Sequence, residues 1–272
     1  MPIRVLFDTG VFIHSEFAEF AVNEIPVRWV GMESVAKVHG LRRKQPHADK
    51  DYQSQIDALF TVGRMIREGR VEAYTYNEIR FERFNGRPEL QEFNALQGCS
   101  FRRCDPPLDR SLFLKTSNFK DFFAKGGKKD RGSGLSLADA NQIAFSDWLC
   151  TLDKASVGAL IKHSTLIGLS DFEINSLRNI EWFQLVCNRS GTSENYPDVF
   201  HLWTAERHHL DAFLTLEKKL PRLVDRVRNE KTVKIAVSTD VLWPLDLLQR
   251  LGVCAPDPVP IDEDRFYDFY RH

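Results

Sequence analysis

Apolar residues fall into short unbroken runs near both ends of the chain and into helical spacings between them. Ile3, Val5, Leu6 and Phe7 predict a strand buried on both faces. That run passes straight into Asp8-Thr9-Gly10 and then Val11-Phe12-Ile13, the pattern of a strand, a small-residue turn and a helix start. Between 49 and 68, Ile56, Leu59, Phe60, Val62, Met65 and Ile66 recur at helical spacing, and Gly69 is a suitable stop. Residues 71–75 predict a short strand. A helix follows as far as Phe84, with Asn77 as its cap.

The middle of the chain is different in kind. Pro88, Pro106 and Pro107 interrupt residues 85–135, and the stretch 125–134 is glycine and charge with almost nothing apolar, which predicts a solvated loop. Residues 135–152 and 171–187 carry helical patterns, the second capped by Ser170 or Asp171. Alternation of strand and helix then returns: helix over 198–210, strand over 212–215, helix over 217–228, strand over 233–237, and a last helix over 242–251 closed by Gly252. The expected fold is α/β, a Rossmann-like three-layer arrangement around a central parallel sheet. It makes a single domain over 1–272, with a mostly helical insertion or cap at about 99–190.

Composition changes this picture little. Hydrophobic residues at 43% and charged residues at 28% suit an ordinary globular core. A formal net charge of -1 neither points to nucleic acid nor excludes it, because a balanced chain can still carry a local basic face. No apolar run is long enough to span a bilayer and no secretory signal is visible, so the expected location is cytoplasmic, away from membranes. The five cysteines are odd in number and scattered; only Cys99 and Cys104 are close, and one such pair is a weak zinc signal.

The chemistry-bearing positions are those just after strands, since sites in parallel sheets form beyond the strands' carboxyl ends. Asp8 follows the first strand, Glu78 the second, Thr215 and Glu217 the third, and Asp198 starts the helix that precedes the third. Carboxylates gathered at one edge repel one another unless a cation offsets the charge. Oxygen-rich clusters select hard cations, Mg²⁺ or Mn²⁺, and these can activate a water against a phosphodiester.

The stretch Val5-Leu6-Phe7-Asp8-Thr9-Gly10-Val11-Phe12-Ile13 resembles the opening strand and turn of PIN domains. Residues 211–220, with Thr215 two positions before Glu217, resemble their late strand and turn; residues 198–205 resemble the helix between, and 233–251 the closing strand and helix. The resemblance covers about 1–20, 70–84 and 195–252. It implies a PIN-type fold and a metal-dependent hydrolase, an endonuclease cutting single-stranded RNA with Mg²⁺ or Mn²⁺. Asp8, Glu78, Asp198 and Glu217 would be the metal acids and Thr215 a supporting hydroxyl, with Thr9 as another. Gly10 stands where the family often has Asn, and Glu217 where Asp is commoner. The span from Asp8 to Glu78 is long for the family, which leaves Glu82 open in place of Glu78. Asp139 also matches the third-acid helix, although Asp198 has the better distance to Thr215.

Each acid has a structural reading as well. Asp8 and Asp198 suit helix caps, and Glu78 and Glu217 suit first-turn acids favoured by the helix dipole. His201, His208 and His209 lack ligand spacing and read as surface or core. Arg42, Arg43 and Lys44, and the basic run 125–131, read as solvated charge, with RNA-backbone contact the minority reading. The functional alternatives are a PIN-like module that binds RNA or protein without cutting, and a structure-specific DNA nuclease. A toxin-like or defence role, a protein regulator such as an antitoxin, and a homodimer stay open.

Overall fold

The computed structural model describes residues 1–79, 93–113, 137–229, 237–262 and 265–269. In chain order the strands are β1 (Ile3–Phe7), β2 (Ala18–Trp29), β3 (Met32–Arg43), β4 (Val71–Thr75), β5 (Phe101–Arg103), β6 (Ala212–Leu214), β7 (Asp240–Leu242) and β8 (Phe266–Asp268). The helices are α1 (Thr9–His14), α2 (Lys50–Arg67), α3 (Leu137–Thr151), α4 (Lys154–Lys162), α5 (Ser164–Ile167), α6 (Asp171–Arg178), α7 (Ile180–Ser190), α8 (Tyr196–Arg207), α9 (Lys219–Asn229) and α10 (Pro244–Arg250).

The central sheet runs β5-β4-β1-β6-β7, and every neighbouring pair in it is parallel. β1 lies in the middle. From it the chain builds outward through β4 and β5 on one side, and through β6 and β7 on the other. The order therefore reverses between β1 and β6, which is where an open parallel sheet forms its crevice. Val5, Leu6 and Phe7 of β1 and all of β6 are buried, as strands covered on both faces must be. α2 packs on β4 and on α10, while α8 packs on β6 and on α3 and α7, with α9 against α7 and β7. The fold is α/β, with a five-stranded parallel sheet flanked by helices in a Rossmann-like arrangement. Among the described residues no helix is long and apolar enough to cross a membrane.

Several local expectations hold. Gly69 ends the α2 segment at φ +73°, as its stop; Asp49 caps that helix, accepting from the N–H groups of Asp51 and Tyr52, which was not among the expectations. Ser170 and Glu173 form a capping box on α6. Others differ. The pattern over 171–187 is two helices, broken at Asn179. α8 starts at Tyr196, with Asp198 inside its first turn. The last sheet strand is β7; of the expected strand at 233–237 only Val237 is described, outside any strand, and 233–236 lie outside the described residues. Of the helix expected from Asn77 to Phe84, residues 77–79 are helical and 80–84 lie outside the description, as does the basic run 125–131.

The largest departure is the hairpin of β2 and β3, paired from Ala18↔Arg43 to Trp29↔Met32. Its turn has Val30 at φ 46° and Gly31 at φ 81°, the left-handed geometry of tight hairpins. β8 pairs with the base of β3. Gly40 permits this, because a Cβ there would stand 2.3 Å from the Tyr267 carbonyl oxygen.

Candidate functional site

Three neighbouring strands deliver polar groups to one edge. Tyr76 follows β4, Asp8 follows β1 and Thr215 follows β6. Asp8 is 6% exposed and Thr215 is fully buried. The Thr215 hydroxyl donates to Asp8 Oδ2 at 2.7 Å, directly across the point where strand order reverses. Asp8 Oδ1 accepts from the Thr9 N–H at 2.7 Å. The Glu217 N–H donates to Thr215 Oγ1 at 3.0 Å, so one hydroxyl ties the turn after β6 to the acid after β1. Backbone bonds extend the link, from Asp8 N to the Leu214 carbonyl at 3.0 Å and from Thr215 N to that of Leu242 at 3.1 Å.

α8 crosses above this edge. Its His201, 2% exposed, places Nδ1 2.6 Å from the Tyr76 hydroxyl. That bond anchors the helix to the end of β4. Asp198 lies one turn earlier on the same face, since residues three apart are neighbours on a helix. Asn195 precedes the helix and makes no side-chain cap bond.

A cleft of about 430 Å³ opens over the edge, lined by Asp8, Asp139, Glu194, Asp198 and Glu217, with His14, His201 and Tyr52 among the other groups. Its described lining includes no lysine or arginine. Burial, and then the charges of Glu217 and Asp8, push the Tyr52 phenol above its ordinary value. Burial, then Lys44 and His47, push His14 below its ordinary value. Both shifts keep the pair neutral, and the Tyr52 hydroxyl lies 3.3 Å from His14 Nε2. Gly10 leaves the acid uncrowded: a Cβ there would sit 3.6 Å from Asp8 Oδ2.

The structure thus brings Asp8, Asp198 and Glu217 to one cleft, with Thr215 beneath them, and adds Asp139, the acid weighed against Asp198. Glu217 lies two residues before α9, in the turn, rather than in the helix. Glu78 is not among the cleft's lining residues. It is buried, and its carboxylate binds the buried Arg110 at 2.6 Å. Glu82 lies outside the described residues. Glu194, His14 and Tyr52 carry no sequence signal, because they reach the cleft from distant turns and helices. His201 had one, the three-residue step from Asp198. His208 contacts the Asp105 carbonyl at 2.8 Å instead.

Among the described residues no three His, Cys, Asp or Glu side chains form a ready metal-binding group. The donors present still suit a hard cation. Mg²⁺ commonly binds through one or two carboxylates, several waters and substrate phosphates rather than a full protein cage. Cys99 Sγ lies 3.3 Å from the Gly63 carbonyl and Cys104 Sγ 3.6 Å from that of Thr75. Compared with protein-family models, curated proteins and solved structures, the chain finds no match.

Proposed function

We propose that this protein is a PIN-type, metal-dependent endonuclease that hydrolyses phosphodiester bonds of single-stranded RNA. The observation that supports this reading most is the Thr215–Asp8 hydrogen bond at the reversal of strand order, inside a cleft that Asp139, Asp198 and Glu217 also line. A Mg²⁺ or Mn²⁺ bound among these carboxylates would supply Lewis acidity, lowering the pKa of a water and offsetting charge on the phosphate. The chain's part is to hold and orient. Thr9 and Thr215 donate to the two Asp8 oxygens and so fix the carboxylate at the cleft. His201 on Tyr76 holds α8 so that Asp198 meets the same space. Asp139 takes the place first given to Glu78, whose charge Arg110 already balances.

A second reading, left open by Glu217 standing where Asp is commoner, is a PIN-like module that binds RNA without cutting it. Labelled single-stranded RNA, with Mn²⁺ or with EDTA, decides between them. Wild type should cut only with metal and Asp8→Asn should not cut. Thr215→Val should be slowed about 10–100-fold, the usual loss when an outer partner of a ligand is removed. Equal behaviour of wild type and Asp8→Asn sinks the nuclease reading. RNA bound but never cut leaves the second reading standing, and preferred cutting of DNA favours a DNA nuclease.

A further inference from the structure

Of the cationic side chains weighed for RNA contact, the described ones, Arg42, Arg43 and Lys44, are already engaged. Arg42 pairs with Glu19 at 2.8 Å, Arg43 with Asp57 at 3.4 Å and Lys44 with Glu16 at 3.7 Å. Lys218 pairs with Asp49, and Arg228 with Asp240 at 2.9 Å. α9 presents a contrast. It buries Leu220, Leu223, Val224 and Val227 against the fold. Lys219, Arg222 and Arg226 lie on the exposed side, three and four residues apart, and so share one helix face. None of these three makes an ion pair or hydrogen bond among the described residues.

They line a groove of about 230 Å³ together with Arg189 and Asp198. Asp198 also lines the acidic cleft, so the two spaces meet at that residue. The only acid of α9, Asp225, does not line the groove. Its described lining holds no aromatic side chain, so it offers no aromatic face on which bases stack. A groove with cations and no stacking platform suits a phosphate backbone and carries little sequence information.

We propose that Lys219, Arg222 and Arg226 form a track that holds the phosphate backbone of single-stranded RNA beside the acidic cleft, a proposal that rests on the nuclease reading above. An acid-lined cleft repels a polyanion. A cationic face adjoining it holds the strand while one phosphate enters.

The test measures anisotropy of labelled single-stranded RNA in EDTA, where metal-dependent cutting is off. Arg222→Glu with Arg226→Glu should weaken binding at least about tenfold. It should also flatten the dependence of log affinity on log salt by about 1.4, at roughly 0.7 per lost phosphate contact. Arg222→Ala with Arg226→Ala should do the same more mildly, and a thermal midpoint checks that each variant is folded. A charge-matched control on the exposed hairpin, Arg28→Glu with Lys37→Glu, should bind like wild type. The proposal is overturned if wild type binds no RNA, if the α9 variants bind as wild type does, if the control weakens equally, or if DNA of the same sequence binds more tightly. Asp8→Asn, which removes a negative charge from the cleft, should bind at least as tightly as wild type here. If it does so while no version of the protein cuts RNA, the nuclease reading falls and the track remains as a binding surface.

Discussion

The carboxylate of Asp8 accepts from the Thr9 N–H as any cap of α1 would, and with its other oxygen accepts from Thr215. A cap needs only the first bond. The second spans 207 residues of sequence and orients the acid toward the cleft. Nearby, His14 makes a pH prediction with a definite sign. Burial, then Lys44 and His47, hold its pKa below the ordinary 6.5. Just below that value the unfolded chain binds more protons than the folded one, so stability falls as pH falls. Urea midpoints should therefore drop below about pH 6.5, the free-histidine value. His14→Gln should flatten that drop, and an unchanged slope would remove His14 as its source.

Among the elements, α8 shows how a helix is placed by its polar contacts as well as its core. Phe200 and Trp203 are buried on it, and His201 bonds to Tyr76 at the end of β4. The Glu78–Arg110 pair does a related job on the other side of β4, joining the segment after that strand to the turn Arg110–Phe113. Removing one member of a buried pair leaves the other uncompensated. Glu78→Ala should therefore cost about 3–5 kcal/mol of stability, read as a lowered denaturant midpoint. A midpoint close to wild type, with cutting abolished, would return Glu78 to the metal site.

In the molecule as a whole, the β2–β3 hairpin stands apart from the core. One face carries the Arg28–Glu33 and Lys37–Glu24 pairs, while Ile25, Val27 and Met32 on the opposite face are exposed. Its outer length buries little, so it adds little to folding. Replacing residues 22–39 by Asn-Gly keeps the Ala21↔Gly40 pairing and the β8 contact. The thermal midpoint should move by no more than about 2 °C, the scale of a surface change in a domain of this size. A larger fall would show that the arm supports the core.

Buried strands and helix ends were legible because their signals are local: an apolar run at Val5-Leu6-Phe7, a stop at Gly69, a cap at Ser170. The acids after β1 and β6 were legible for the same reason, since a carboxylate beside a small-residue turn marks a strand end. The hairpin was not. Pro26 argues against a strand, Val30-Gly31 is not an Asn-Gly turn, and its apolar residues change face midway from Phe20 and Val22 to Ile25 and Val27. Glu78 sits after a strand, as a site acid should. Only packing places the buried Arg110 against it, at a separation of 32 residues. Likewise the adjoining acidic cleft and cationic groove exist only in three dimensions. Which acids meet, and which cations stay without a partner, depend on contacts between segments far apart in the chain, and no local pattern encodes those.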